Sequence, residues 1–96
     1  MGYFKIDESP VHPGKFLIRP DFDKLPLHGT SGSYNVLMAR IMGVSFADYL
    51  RLCRDEYGAE VTGKNSMYPV PYFTKDSGVK ELIKELDKRV VELLKN

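Results

Sequence analysis

The side chains able to act as nucleophile, base or metal ligand are few: one cysteine, Cys53, and two histidines, His12 and His28. A cysteine nucleophile needs a proton acceptor within hydrogen-bond reach, and nothing in the sequence places either histidine beside this thiol. Cys53 falls instead on an apolar helical stripe with Phe46, Tyr49, Leu50 and Tyr57, so it reads as a buried structural thiol. The same residues lack the clustered spacing of zinc or iron sites, and no metal and no other cofactor is expected. A phosphate-loop spacing occurs once, at Gly58-Ala-Glu-Val-Thr-Gly63-Lys64-Asn65, but Asn65 stands where a magnesium-binding hydroxyl belongs. Such a loop must also open a helix, so that amides and helix dipole converge on phosphate; here a helix precedes it and Pro69 and Pro71 follow. Asp21 with Asp23, and Asp55 with Glu56, read as solvated carboxylates of a loop and a helix end. No catalytic residue is assigned, and the chain is expected not to be an enzyme.

The elements that carry these residues are punctuated by local chemistry. Between Ser33 and Gly58 the apolar spacing gives two short helices joined by a tight turn. Gly43 and Gly58 sit where each helix should end, because glycine adopts the left-handed conformation without a Cβ clash. Ser45 is placed as the N-cap of the second helix, about 46 to 57, with Asp48 three residues on to complete a capping box and Val44 and Tyr49 to form a hydrophobic staple.

Around this pair the chain reads as a small α+β domain spanning 1–96. Tyr3 to Ile6 alternates as a first strand, Pro10, Pro13 and Gly14 force a turn, and Lys15 to Arg19 forms a short strand ended by Pro20. A long loop covers 20–33, pinned to the core by Phe22, Leu25 and Leu27. After the helices, Ala59 to Thr62 and Tyr68 to Phe73 read as a β-hairpin, its second arm marked as an edge by Pro69 and Pro71. Val79, Leu82, Ile83, Leu86, Val90, Leu93 and Leu94 then line one face of an amphipathic helix from about Ser77 to Lys95, expected to lie against the inner face of the hairpin and to join Leu82, Leu86 and Val90 to the helical corner. Glu85 is spaced to pair with Arg89 and with Lys88 on its wet face.

Composition narrows the function classes. Ninety-six residues with 43% hydrophobic content, six tyrosines and five phenylalanines suffice for one modest core without disulfides, which a single cysteine could not form within the chain. Fourteen basic against thirteen acidic side chains leave a net charge of +1, so no long-range field attracts nucleic acid, membrane or an acidic substrate. There is no long apolar run and no signal-peptide core at the N-terminus, and Ile6 stands where a myristoylation motif requires Ser or Thr. The expectation is a cytoplasmic chain with no membrane contact and no evident small-molecule site.

Ala39 at a small position of the first helix, Gly43 four residues later at the turn, and Val44 after it are followed by Tyr49 and Leu52 as inward residues of the second helix. In this pattern, residues 34–73 resemble the helix-turn-helix family, with the hairpin as the wing of a winged-helix variant. The resemblance implies duplex-DNA binding through the second helix. Ala47, Arg51 and Arg54 would face the major groove, with Arg40 beside them and Lys64 at the wing tip near phosphate. Against it, Phe46 and Leu50 belong to the apolar stripe, Asp48, Asp55 and Glu60 would flank phosphate, and Glu56 would turn inward beside Tyr49 and Leu52.

With catalysis set aside and charge balanced, the favoured expectation is a non-catalytic module that binds a protein partner or forms a homodimer. Met67, Tyr68 and Tyr72 of the hairpin are the candidate contacts, suited to aromatic anchoring or strand addition, together with Val91, which lies outside the main stripe of the last helix.

Overall fold

Pairing begins near the N-terminus in the computed structural model, which describes residues 2–25, 34–63 and 69–95. Strand β1 (Phe4–Glu8) runs antiparallel to β2 (Phe16–Pro20), with Phe4 opposite Pro20 and Ile6 opposite Ile18. The proline-rich turn between them is closed by Ser9 N–H donating to Lys15 O (2.8 Å) and Lys15 N–H to His12 O (3.1 Å). The buried Ser9 hydroxyl accepts from the amides of Val11 (3.3 Å) and His12 (3.2 Å). This closure sets the register and carries pairing as far as Glu8 opposite Phe16, so the first strand lies two residues beyond the expected end at Ile6. Phe4 and Ile18 point into the core, while Arg19 on the other face pairs with Asp7 at 3.0 Å.

Helices α1 (Tyr34–Met42) and α2 (Phe46–Tyr57) form the expected corner. Gly43 has φ 74°, and the turn closes as a Schellman motif: Gly43 N–H donates to Arg40 O (3.0 Å) and Val44 N–H to Ala39 O (3.1 Å). Ser45 Oγ accepts from the Asp48 amide at 3.1 Å, which makes it the N-cap of α2. The remaining details of the cap depart from expectation. The Asp48 carboxylate accepts from Arg51 at 2.8 Å, and Val44 stays at the surface while Tyr49 is fully buried. At the other end Gly58 has φ 73°, and the Cys53 carbonyl accepts from the Gly58 and Ala59 amides.

The hairpin follows as β3 (Glu60–Thr62) and β4 (Val70–Tyr72), antiparallel with Val61 opposite Pro71. Phe16 and Phe73 exchange two backbone hydrogen bonds, of 2.7 and 2.9 Å, and so tie the second sheet to the first. Helix α3 (Val79–Leu94) completes an α+β arrangement with, among the described residues, three helices and two two-stranded sheets.

One core draws on every layer: Phe4 and Ile18 from the first sheet, Leu37, Met38 and Ile41 from α1, Tyr49 and Cys53 from α2, Phe73, and Leu82, Leu86 and Val90 from α3. α3 packs on α1 and α2, joining Leu82, Leu86 and Val90 to the helical corner as expected, but not along the hairpin's inner face; strands of three residues offer little face to a 16-residue helix, and the hairpin packs on α2 and β2. Two polar contacts fasten α3. Arg89 bonds Glu85 (3.1 Å) and the Met42 carbonyl (3.0 Å) at the negative end of α1, and Asp87 accepts from the Tyr3 amide at 2.8 Å.

Two apolar expectations are corrected. Leu93 and Leu94 are 47% and 48% exposed, because the core ends at Val90 while the helix continues for another turn. Phe22 is 42% exposed and rests on the Tyr34 ring, centroids 5.6 Å apart, whereas Leu25 is the loop residue that reaches the core. Leu27 and His28 lie outside the described residues.

Candidate functional site

Cys53 lies one turn after Tyr49 on the inner side of α2, and both are completely buried. The Tyr49 hydroxyl donates to Met38 Sδ at 3.6 Å. Burial pushes the Cys53 thiol up to about 12, the nearby Tyr49 hydroxyl offsetting part of the effect, and burial together with the adjacent sulfur raises Tyr49 well above the ordinary tyrosine value. A thiol held protonated and shut away from water is a poor nucleophile. His12 is at the surface, its ring edge-on to Tyr72 with centroids 4.9 Å apart. Asp21 is buried rather than solvated: its carboxylate accepts from the Asp23 amide (3.1 Å) and lies 3.9 Å from Lys5, so its role is to shape the turn. The segment with phosphate-loop spacing continues from Gly58 into β3, and Lys64 and Asn65 lie outside the described residues.

The outer flank of α2 presents Ala47, Arg51 and Arg54 to solvent, with Arg40 exposed at the end of α1. Each α2 arginine is held by an acidic neighbour. Arg51 Nη1 is 2.8 Å from Asp48, and Arg54 bonds both oxygens of Asp55 at 2.8 and 3.3 Å. The Arg54 hydrogen bonds hold the Asp55 carboxyl below its ordinary range and raise Arg54. Leu50 and the two arginines line a shallow cavity of about 390 Å³ with Ala59, Glu60 and Val61. Phe46 and Leu50 are half-buried, at the edge of the stripe whose centre is Tyr49 and Cys53. Glu56 stays exposed, whereas the helix-turn-helix orientation turns it inward.

Of the protein-contact candidates, Tyr72 is half-buried against His12, and Val91 is 41% exposed on the outer side of α3. Lys64, Met67 and Tyr68 lie outside the described residues. Val91, outside the apolar stripe as the spacing predicts, is thus exposed together with Leu93 and Leu94, which the same spacing places on the core-facing stripe. Also missed was a groove of about 330 Å³ where Ile6 and Phe16 of the first sheet meet Thr74, Lys75, Val79 and Lys80. The only sequence signal for it is the spacing of Lys80, Lys84 and Lys88, which sets three lysines along one helix face.

Among the described residues there is no group of three or more His, Cys, Asp or Glu side chains placed to hold a metal ion, and no helix long and apolar enough to cross a membrane. Comparison of the chain with protein-family models, curated proteins and solved structures finds no match.

Proposed function

We propose that this chain is a small non-catalytic protein-interaction module, acting on a protein partner or on a second copy of itself. The observation that carries the reading is the mismatch between α3 and the core it serves. Leu82, Leu86 and Val90 are completely buried, yet the same helix continues into Val91, Leu93 and Leu94 with each between 41% and 48% exposed. Covering the remaining exposed part of three branched apolar side chains, each a little under half exposed, is worth about 1 kcal/mol apiece, a driving force that a protein surface can use.

The test compares the wild type with a Leu93→Ser/Leu94→Ser variant, which leaves the buried part of α3 intact. Light scattering over a concentration series and affinity capture from the host should show a dimer or a captured protein for the wild type and its loss in the variant. A wild type that stays monomeric and captures nothing defeats the reading.

A second reading, duplex-DNA contact through α2, draws support from the exposure of Ala47, Arg51 and Arg54 on one flank. The pairing of both arginines with Asp48 and Asp55 weighs against it, since phosphate must displace a carboxylate at each. A salt-sensitive gel shift with mixed-sequence duplex, abolished by Arg51→Ala with Arg54→Ala, tests it.

A further inference from the structure

The groove between the first sheet and the start of α3 combines two properties. Its walls include Ile6, 39% exposed, with Phe16 and Val79, and its rim carries Lys75 and Lys80, with no acidic residue among those lining it. From Lys80 the positive charge continues along the outside of α3 through Lys84 and Lys88, spaced about 6 Å apart along the axis and turning about 40° per step. All four lysines are exposed, and none forms an ion pair with a described residue. Of the carboxylates around the row, Glu85 pairs with Arg89, Asp87 accepts from the Tyr3 amide, and Glu8, on the strand beside Ile6, accepts from the Gly14 amide at 3.3 Å, while Asp76 beside Lys75 and Glu81 beside Lys80 are exposed acids at its edge. By helical spacing Glu81 and Glu92 fall about 100–120° around the α3 axis from Lys80 and border the lysine row.

We propose that this groove and lysine row dock an acidic peptide segment of a partner protein, with an apolar side chain seated between Ile6, Phe16 and Val79 and following carboxylates meeting Lys75, Lys80, Lys84 and Lys88. The proposal rests on the protein-interaction reading and names the partner's chemistry. Charge complementarity selects an anionic occupant, and the apolar walls distinguish among anions. A phosphodiester backbone has no side chain to fill a cleft of about 330 Å³, and a flat bilayer does not follow a concave surface. An acidic peptide supplies both an anchor and a row of charge.

The experiment titrates the isotopically labelled full chain with a synthetic peptide of two leucines followed by four glutamates, and maps amide shifts by NMR. A mixed-sequence DNA duplex and phosphatidylserine vesicles are run in parallel. The expected result is saturable shifts at Ile6, Phe16, Thr74 and Val79 that weaken with salt, with about tenfold lower affinity in Lys75→Glu/Lys80→Glu. The reverse substitution of the peptide's glutamates by lysine should restore binding to that variant, which a general loss of folding could not do. Peptide shifts confined to Val91, Leu93 and Leu94 overturn the groove assignment while leaving the interaction reading in place. No peptide binding at all, or lysine-dependent binding of duplex or vesicles without the peptide, overturns the proposal as well.

Discussion

The buried thiol of Cys53 should make stability fall with alkaline pH, beginning below the range centred on the ordinary tyrosine and lysine values. In the unfolded chain the thiol releases its proton near its ordinary value of 9.0, whereas in the folded protein burial holds it to about 12. The folded state therefore binds the proton more tightly. Its contribution is fully present below the unfolded value and is lost as pH rises from there toward the folded value. From about pH 8 to about pH 10 the loss from this group alone is about 1 kcal/mol, and across the whole interval about 4 kcal/mol. Tyr49 and Tyr57, both raised first of all by burial, add to the slope as pH approaches and passes the ordinary tyrosine value. The assay is urea unfolding followed by circular dichroism at several pH values, for the wild type and for Cys53→Ala. The variant starts less stable because it leaves a small cavity, but its stability should be nearly flat over the lower part of the range. A wild type with flat stability from about pH 8 to about pH 10, or a variant with the wild-type slope, refutes the argument that burial perturbs this thiol.

Two further predictions address the helices. Leu86→Ala, at a completely buried position, should cost about 2–5 kcal/mol, whereas Leu93→Ala, two turns later on the same helix, should stay within about 0.5 kcal/mol; comparable losses in thermal melts would contradict the core boundary at Val90. Gly43→Ala should cost about 1 kcal/mol because its φ of 74° strains any residue with a Cβ. Ser45→Ala should cost a similar amount through loss of the cap to the Asp48 amide, and chemical denaturation of either variant unchanged from wild type would rule out the turn described.

The parts of the fold legible in the sequence are those determined within a few residues. Gly43, Ser45 and Gly58 place the ends of α1 and α2 because caps are made by side chains and amides three to six positions apart. Pro10, Pro13 and Gly14 mark the first turn for the same reason, and the pairing of Glu85 with Arg89 follows from helical spacing. The burial of Cys53 was legible too, since the stripe through Tyr49 and Cys53 faces inward on any compact packing of α2. Legibility failed where a local pattern meets a distant boundary. Leu93 and Leu94 repeat the spacing of Leu86 and Val90 but extend past the core, and periodicity carries no information about where neighbouring elements end. Phe22 was expected inside with Leu25; only the packing of the turn around Asp21 sends one ring to the surface and the other side chain to the core.

The sequence by itself determined which segments become helix, strand and turn, and which flank of α2 carries Arg51 and Arg54, because capping, backbone preference and side-chain periodicity act over one or two turns. Tertiary structure decided what those faces meet. It kept α3 off the hairpin's inner face, tied the two sheets through Phe16 and Phe73, and left Leu93 and Leu94 outside the core. It also brought Ile6 and Phe16 beside Lys75 and Lys80. These outcomes depend on contacts between residues tens of positions apart, which burial of the whole apolar surface selects and no local pattern records.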